Sequence, residues 1–140
     1  MTGSAGIVIV HRAVLPIRSG EDIVRVRQST RENAIAQGFS LIEQTKLVTA
    51  ASELARNTLD YGHGGEVEVA RLANGSRKGL RLTFSDQGPG IEDIDKALTD
   101  GYSTGSGLGL GLSGARRLSN DFSIDTAPGK GTRVMIARWR

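Results

Sequence analysis

The sequence predicts an α+β fold, a two-layer α/β sandwich in which a mixed, mostly antiparallel sheet carries helices on one face. Three observations point there. Runs rich in β-branched residues come in pairs that turn back on themselves, at 66–84 and 122–139. Two long stretches with helical apolar spacing precede them, between 20 and 60. Strands and helices do not alternate strictly, which disfavours a doubly wound nucleotide fold. At 140 residues the chain is expected to be a single domain over 1–140. That length buries a core without help from disulfides or a structural metal.

Taken in order, residues 7–17 (IVIVHRAVLPI) read as one strand or two short ones. Ser19 can cap a helix from about Gly20 to Gln37, with Ile23, Val26, Thr30 and Ala34 as its apolar stripe and Gly38 as its stop. Ser40 and Glu43 have the spacing of a capping box, and the following helix carries Leu47, Val48, Ala51, Leu54, Ala55 and Thr58 on one side. It should end before the glycines at 62, 64 and 65. Strands at Glu66–Leu72 and Leu80–Phe84 are expected to form a hairpin around Asn74-Gly75. A loop through Gly90 and a short helix over Glu92–Leu98 follow, then a glycine-rich stretch, Gly101 to Gly111, leading into a helix that reaches about Asn120. Phe122–Thr126 and Thr132–Trp139 make a last hairpin around Pro128-Gly129-Lys130-Gly131.

Composition narrows the function classes. There are no cysteines, which removes thiol nucleophiles and Cys-based metal sites and fits a reducing, cytoplasmic setting. The apolar run Ile7–Val10 is too short for a signal peptide or a membrane span, so no membrane association is expected. The formal charge is +3, but the basic residues are scattered among acids and aromatics are only 4%, so no nucleic-acid partner is expected either. Glycine is the anomaly: there are 19, and eight of them lie between Gly88 and Gly114. Clustered glycine marks backbone that must come close to something.

Three segments carry residues suited to chemistry. In Glu53-Leu54-Ala55-Arg56-Asn57 the spacing of four puts a carboxylate and a carboxamide on one helix face. That pair suits an oxygen-seeking divalent cation and a general base, or it is simply a solvated polar stripe. Ser85-Asp86-Gln87-Gly88-Pro89-Gly90 follows an apolar strand. Its aspartate can accept a hydrogen bond from an exocyclic amine such as adenine's, though the same residues also make a plain turn. Gly105-Ser106-Gly107-Leu108-Gly109-Leu110-Gly111 runs into a helix, where backbone N–H groups favour phosphates. It is neither a dinucleotide fingerprint nor a P-loop. A flexible linker is the plain alternative, against which the interleaved leucines argue.

In this order, E-L-A-R-N, D-x-G-x-G and G-x-G-x-G resemble the N box and the two glycine boxes of the GHKL superfamily, with its Bergerat ATP-binding fold; the match spans residues 53–132. The resemblance implies ATP and Mg²⁺ as cofactors. It makes Glu53 the catalytic base or water-positioning carboxylate, Asn57 the Mg²⁺ ligand, and Asp86 the reader of the adenine amino group beside Gly88 and Gly90. Gly105, Gly107, Gly109 and Gly111 would belong to a lid over the phosphates, and Thr132 resembles the family threonine near adenine.

Within the superfamily, S-E-L-A-R-N, D-Q-G-P-G-I and D-G-Y-S-T-G-S-G-L-G are most similar to RsbT-type switch serine/threonine kinases of bacterial partner-switching modules and stressosomes. That implies a STAS-domain protein as substrate and a phosphatase or other effector in stress and sigma-factor regulation as the next partner. The alternatives are an anti-sigma-factor kinase, or a non-catalytic nucleotide-binding module that acts by docking. One departure stands out. The lid register where many anti-sigma-factor kinases carry an arginine holds Gly107, and no Arg or Lys lies between Lys96 and Arg116. A γ-phosphate arginine would then come from Arg56, Arg116, Arg117 or the partner. His11 and His63, the only histidines, are not in a phosphoacceptor setting.

Overall fold

Strands β1 (Val8–Ile17), β2 (Gly65–Asn74), β3 (Arg77–Asp86), β4 (Asp121–Thr126) and β5 (Thr132–Trp139) make one sheet in the order β1-β2-β3-β5-β4. Helices α1 (Gly20–Ala36), α2 (Leu41–Asp60) and α3 (Leu108–Arg117) accompany it. The structure is a computed structural model and describes residues 6–91, 98 and 108–140. All its strand pairings are antiparallel, so the mostly antiparallel sheet foreseen from the sequence is antiparallel throughout the described residues. The short helix expected over Glu92–Leu98 and the glycines from 101 to 107 lie outside them, Leu98 excepted.

Register builds the core in rows. Leu15, Val67, Phe84, Val134 and Ile124 are successive cross-strand partners, and so are Ala13, Val69, Leu82, Ile136 and Phe122. Because side chains alternate across a strand, both rows point to the same face. That face is covered by Ile23 and Val26 of α1, Leu47 and Leu54 of α2, and Leu112 and Ala115 of α3, all buried in one cluster with the sheet residues. A third row matters for function. Ile17, Gly65, Asp86, Thr132 and Thr126 are aligned at one end of the sheet and share the parity of the core rows. Asp86 and Thr132 therefore face the helices, at the rim of the apolar layer.

The helix boundaries follow local chemistry. Ser40 Oγ accepts from the Glu43 N–H at 3.2 Å while Glu43 Oε1 accepts from the Ser40 N–H at 3.2 Å, which is the capping box read from the sequence. Ser40→Ala should cost about 1 kcal/mol and lower Tm by about 4 °C, measurable by thermal unfolding of the nucleotide-free protein. Ser19 does occupy the N-cap of α1, but its side chain makes no capping bond. Asp22, in the first turn, instead reaches back to the segment before the helix: its Oδ2 accepts from the Arg18 N–H at 2.8 Å, and its carboxyl is thereby held below the ordinary aspartate range. Gly38, with φ +81°, stops α1 as expected.

The β2–β3 turn sits one residue beyond the expected place. Asn74 pairs with Arg77, leaving Gly75-Ser76 as a two-residue loop with φ positive only at Gly75. That is the arrangement of a II′ hairpin turn. Among the described residues no helix is long and apolar enough to cross a membrane.

Candidate nucleotide site

Between α2, the end of β3, the start of β5 and α3 lies a cleft. Its sides are apolar: Leu54, Phe84, Ile91, Leu112 and Val134 line it. Into this slot the fold brings Asn57, Asp86, Gly90 and Thr132, all singled out from the sequence, together with Thr58, Tyr61 and Gly62, which were not. An apolar slot with a few convergent polar groups is the usual lining of a small-molecule site.

Asp86 is the most constrained of the polar groups. Its Oδ1 accepts from the Gly88 N–H at 2.9 Å, and the Thr132 N–H also bonds the carboxylate. Burial nonetheless pushes its pKa above the ordinary aspartate range, against the opposing pull of those two N–H groups and of nearby His63. Desolvation prevails because the carboxylate sits at the edge of an apolar layer. A buried acceptor in such a position gains by meeting a donor from a ligand.

Thr132 is oriented by a small network. The Ile91 N–H donates to Thr126 Oγ1 at 3.0 Å, Thr126 Oγ1 reaches the Gly131 carbonyl at 2.9 Å, and the two threonine hydroxyls are 2.9 Å apart. A hydroxyl has one proton. With Thr126 donating to Gly131, Thr132 donates to Thr126 and keeps lone pairs for a ligand.

Gly90 serves closure of the loop rather than contact through a side chain. Its φ is +77°, and a Cβ there would lie 2.0 Å from the Ala127 carbonyl oxygen. The Gly129 N–H donates to the Pro89 carbonyl at 2.6 Å, so the loops after β3 and between β4 and β5 brace each other.

Asn57 carries a buried side-chain amide nitrogen with no hydrogen-bond partner. A buried, unpaired amide is costly unless something else completes it. Turning the amide exchanges NH₂ for carbonyl, so this position can serve a phosphate oxygen or a cation. Glu53 stands one helical turn earlier, exposed, and is not part of the cleft lining. Among the described residues no group of three His, Cys, Asp or Glu side chains is placed to hold a metal.

Gly88 contributes its N–H to Asp86 rather than lining the cleft. Gly109 and Gly111, read as loop in the sequence, fall in the first turn of α3, which begins at Leu108; Gly105 and Gly107 lie outside the described residues. Of the candidate arginines, Arg56 is exposed on α2 and Arg116 Nη2 donates to the Leu98 carbonyl at 3.3 Å. His63 proves unusual in a way the sequence did not announce: it takes a left-handed backbone, φ +61°, in the turn that follows α2.

An antiparallel sheet backed by helices, with a glycine-rimmed slot ending on a partly desolvated aspartate, is the frame of an adenine-nucleotide-binding domain. The chain belongs to the family of histidine kinase-, DNA gyrase B-, and HSP90-like ATPases, whose sequence profile matches residues 42–140. ATP use comes with that membership.

Among curated proteins, the chain is 43% identical over 118 residues to the serine/threonine-protein kinase RsbT of Bacillus subtilis, covering 84% of this chain and 89% of that protein. It therefore falls in the serine/threonine-kinase branch of the family. It is 27% identical over 101 residues to an anti-sigma F factor of Thermoanaerobacter, covering 69% of this chain and 71% of that one. Solved structures share the fold, two among them as follows. One holds the RsbU and RsbW domains of a Mycobacterium tuberculosis protein, with TM-score 0.66 and 18% identity, covering 94% of this chain and 33% of that one. The other is the SiaB–SiaC complex of Pseudomonas aeruginosa, with TM-score 0.58 and 16% identity, covering 94% of this chain and 91% of that one.

Proposed function

We propose that this chain is an Mg²⁺- and ATP-dependent kinase that phosphorylates a serine or threonine of a STAS-domain antagonist and, once released from it, engages a phosphatase or other effector. The observation that carries the reading is the convergence of Asn57, with its unpaired buried amide, and Asp86, with its desolvated carboxylate, on one apolar cleft in a relative 43% identical to a serine/threonine kinase.

The residues fit the cofactor. Mg²⁺ characteristically takes one or two protein ligands and completes its shell with phosphate oxygens and water, and Asn57 suits that part. The bound nucleotide and metal would supply the transferable phosphoryl group and offset its charge. Asp86 accepts the adenine amine, Thr132 offers a second acceptor, and Leu54, Ile91 and Leu112 exclude water from the ring. The first turn of α3 offers backbone N–H groups to phosphate oxygens. Glu53, exposed one helical turn before Asn57 on the same helix face, takes the proton of the attacking hydroxyl as the acceptor's oxygen bonds to phosphorus and ADP leaves.

The test is transfer of label from γ-labelled ATP, with Mg²⁺, to a STAS-domain protein encoded near this chain. Label on the STAS protein is expected, and mass spectrometry should place it on a hydroxyl residue. Normal ATP binding without transfer would favour the docking-module alternative; phosphate release that needs no partner would indicate a free-standing ATPase.

A further inference from the structure

Gly62 closes the turn after α2 and is packed directly on the carboxylate of Asp86. A Cβ built on Gly62 would lie 2.3 Å from Asp86 Cγ, 2.4 Å from its Cβ and 2.5 Å from its Oδ2. These contacts run along the whole side chain, so rotating the carboxylate tip alone does not relieve them. The neighbouring contact is between backbones: a Cβ on Gly88 would lie 2.7 Å from Gly62 Cα and 2.9 Å from the Tyr61 carbonyl oxygen. Gly88 also gives its N–H to Asp86. Gly62 is held from the other side by its own N–H, which donates to the Asn57 carbonyl at 3.3 Å. Its φ is not in the left-handed region, so backbone freedom does not explain a glycine here. Room for Asp86 does.

We infer that Gly62 is a positioning residue for adenine selection: by leaving no side chain between the end of α2 and β3, it fixes the Asp86 carboxylate where it meets an exocyclic amine. The inference rests on the nucleotide reading of Asp86 given above and adds the residue that sets that carboxylate's place. It also links the two ends of the site, since the segment that fixes Asp86 is the direct continuation of the helix carrying Asn57 and Glu53.

The test compares ATP with purine riboside triphosphate, which lacks the 6-amino group, by calorimetric titration of the full chain. Wild type should prefer ATP by about tenfold or more, the worth of a hydrogen bond to a charged group. Gly62→Ala should lose most of that preference through weaker ATP binding, with purine riboside triphosphate affected less than about threefold. A merely structural role would weaken both ligands alike. Gly20→Ala, at a helix start where an added Cβ meets nothing within 4 Å, should keep the wild-type preference. In an Asp86→Asn background, adding Gly62→Ala should change ATP affinity no further.

Retained ATP preference in Gly62→Ala, or equal loss for both triphosphates, overturns this role while leaving the adenine reading intact. Equal binding of both triphosphates by wild type overturns the adenine reading, and the role of Gly62 with it. Should Gly62→Ala fail to fold, adding Asp86→Gly, which removes the Asp86 atoms the new Cβ meets, should restore cooperative thermal unfolding. A double variant that stays unfolded would mean that Gly62 makes room for something other than Asp86 and overturns the role.

Discussion

Asp86→Asn is expected to lower affinity for ATP and ADP by tenfold to about a hundredfold, because it removes a hydrogen bond to a charged acceptor worth about 1.5–3 kcal/mol. The same substitution should leave the nucleotide-free protein folded and at least as stable. Burial raises the Asp86 pKa in the folded chain, so the ionised form is the one the fold disfavours. Considered alone, this group contributes most to stability below the unfolded-state pKa, and that contribution is lost as pH rises through the raised folded value. Ligand binding has the opposite slope, since an exocyclic amine needs the ionised carboxylate. Affinity should therefore fall on acidification, beginning at a higher pH than an ordinary aspartate would impose. In Asp86→Asn that acid limb should vanish. Calorimetric titration of ADP across mildly acidic pH, paired with thermal unfolding, reads both slopes. An Asn variant with full affinity would show that adenine is read elsewhere.

The parts of this site that were legible in the sequence are those fixed by local periodicity. Leu80, Leu82 and Phe84 alternate along β3, and the next residue of the same parity is Asp86; the register confirms that it shares their face. The capping box placed the start of α2, and the spacing of four placed Glu53 and Asn57 on one helix face. Where the sequence misled, tertiary packing overrode local preference. Gly109 and Gly111 read as loop because glycine disfavours helix by about 1 kcal/mol each. The helix nonetheless begins at Leu108, since Leu112 and Ala115 bury themselves in the common core.

Ser19 holds the cap position of α1, but its hydroxyl makes no capping bond, and Asp22 of the first turn pairs with the Arg18 N–H ahead of the helix. Gly62 was legible only as one of the glycines that stop α2. Its reason is the Asp86 side chain, a contact between two segments far apart in the sequence, and only the folded register brings them together.

Removing Glu53 should separate binding from transfer. Glu53 is exposed and outside the cleft lining, so Glu53→Ala leaves the adenine slot untouched and should change ATP affinity by less than about twofold; an exposed polar truncation on a helix is a small perturbation of stability as well. If its carboxylate accepts the hydroxyl proton, phosphotransfer to the STAS protein should fall by about 10²–10⁴-fold, the usual contribution of a positioned base. Glu53→Gln keeps the shape and the hydrogen-bonding reach but not the basicity, so it should be nearly as inactive. Recovery of transfer in the glutamine variant would instead mean that the side chain positions water or the acceptor.

The two substitutions thus make a crossed pair: Asp86→Asn weakens binding, and Glu53→Ala keeps binding and removes transfer. Single-turnover transfer at saturating ATP, read beside an equilibrium titration, distinguishes them. Full transfer by Glu53→Ala would move the base off this chain, onto the acceptor or the phosphate itself, and would leave α2 as a nucleotide-binding helix only.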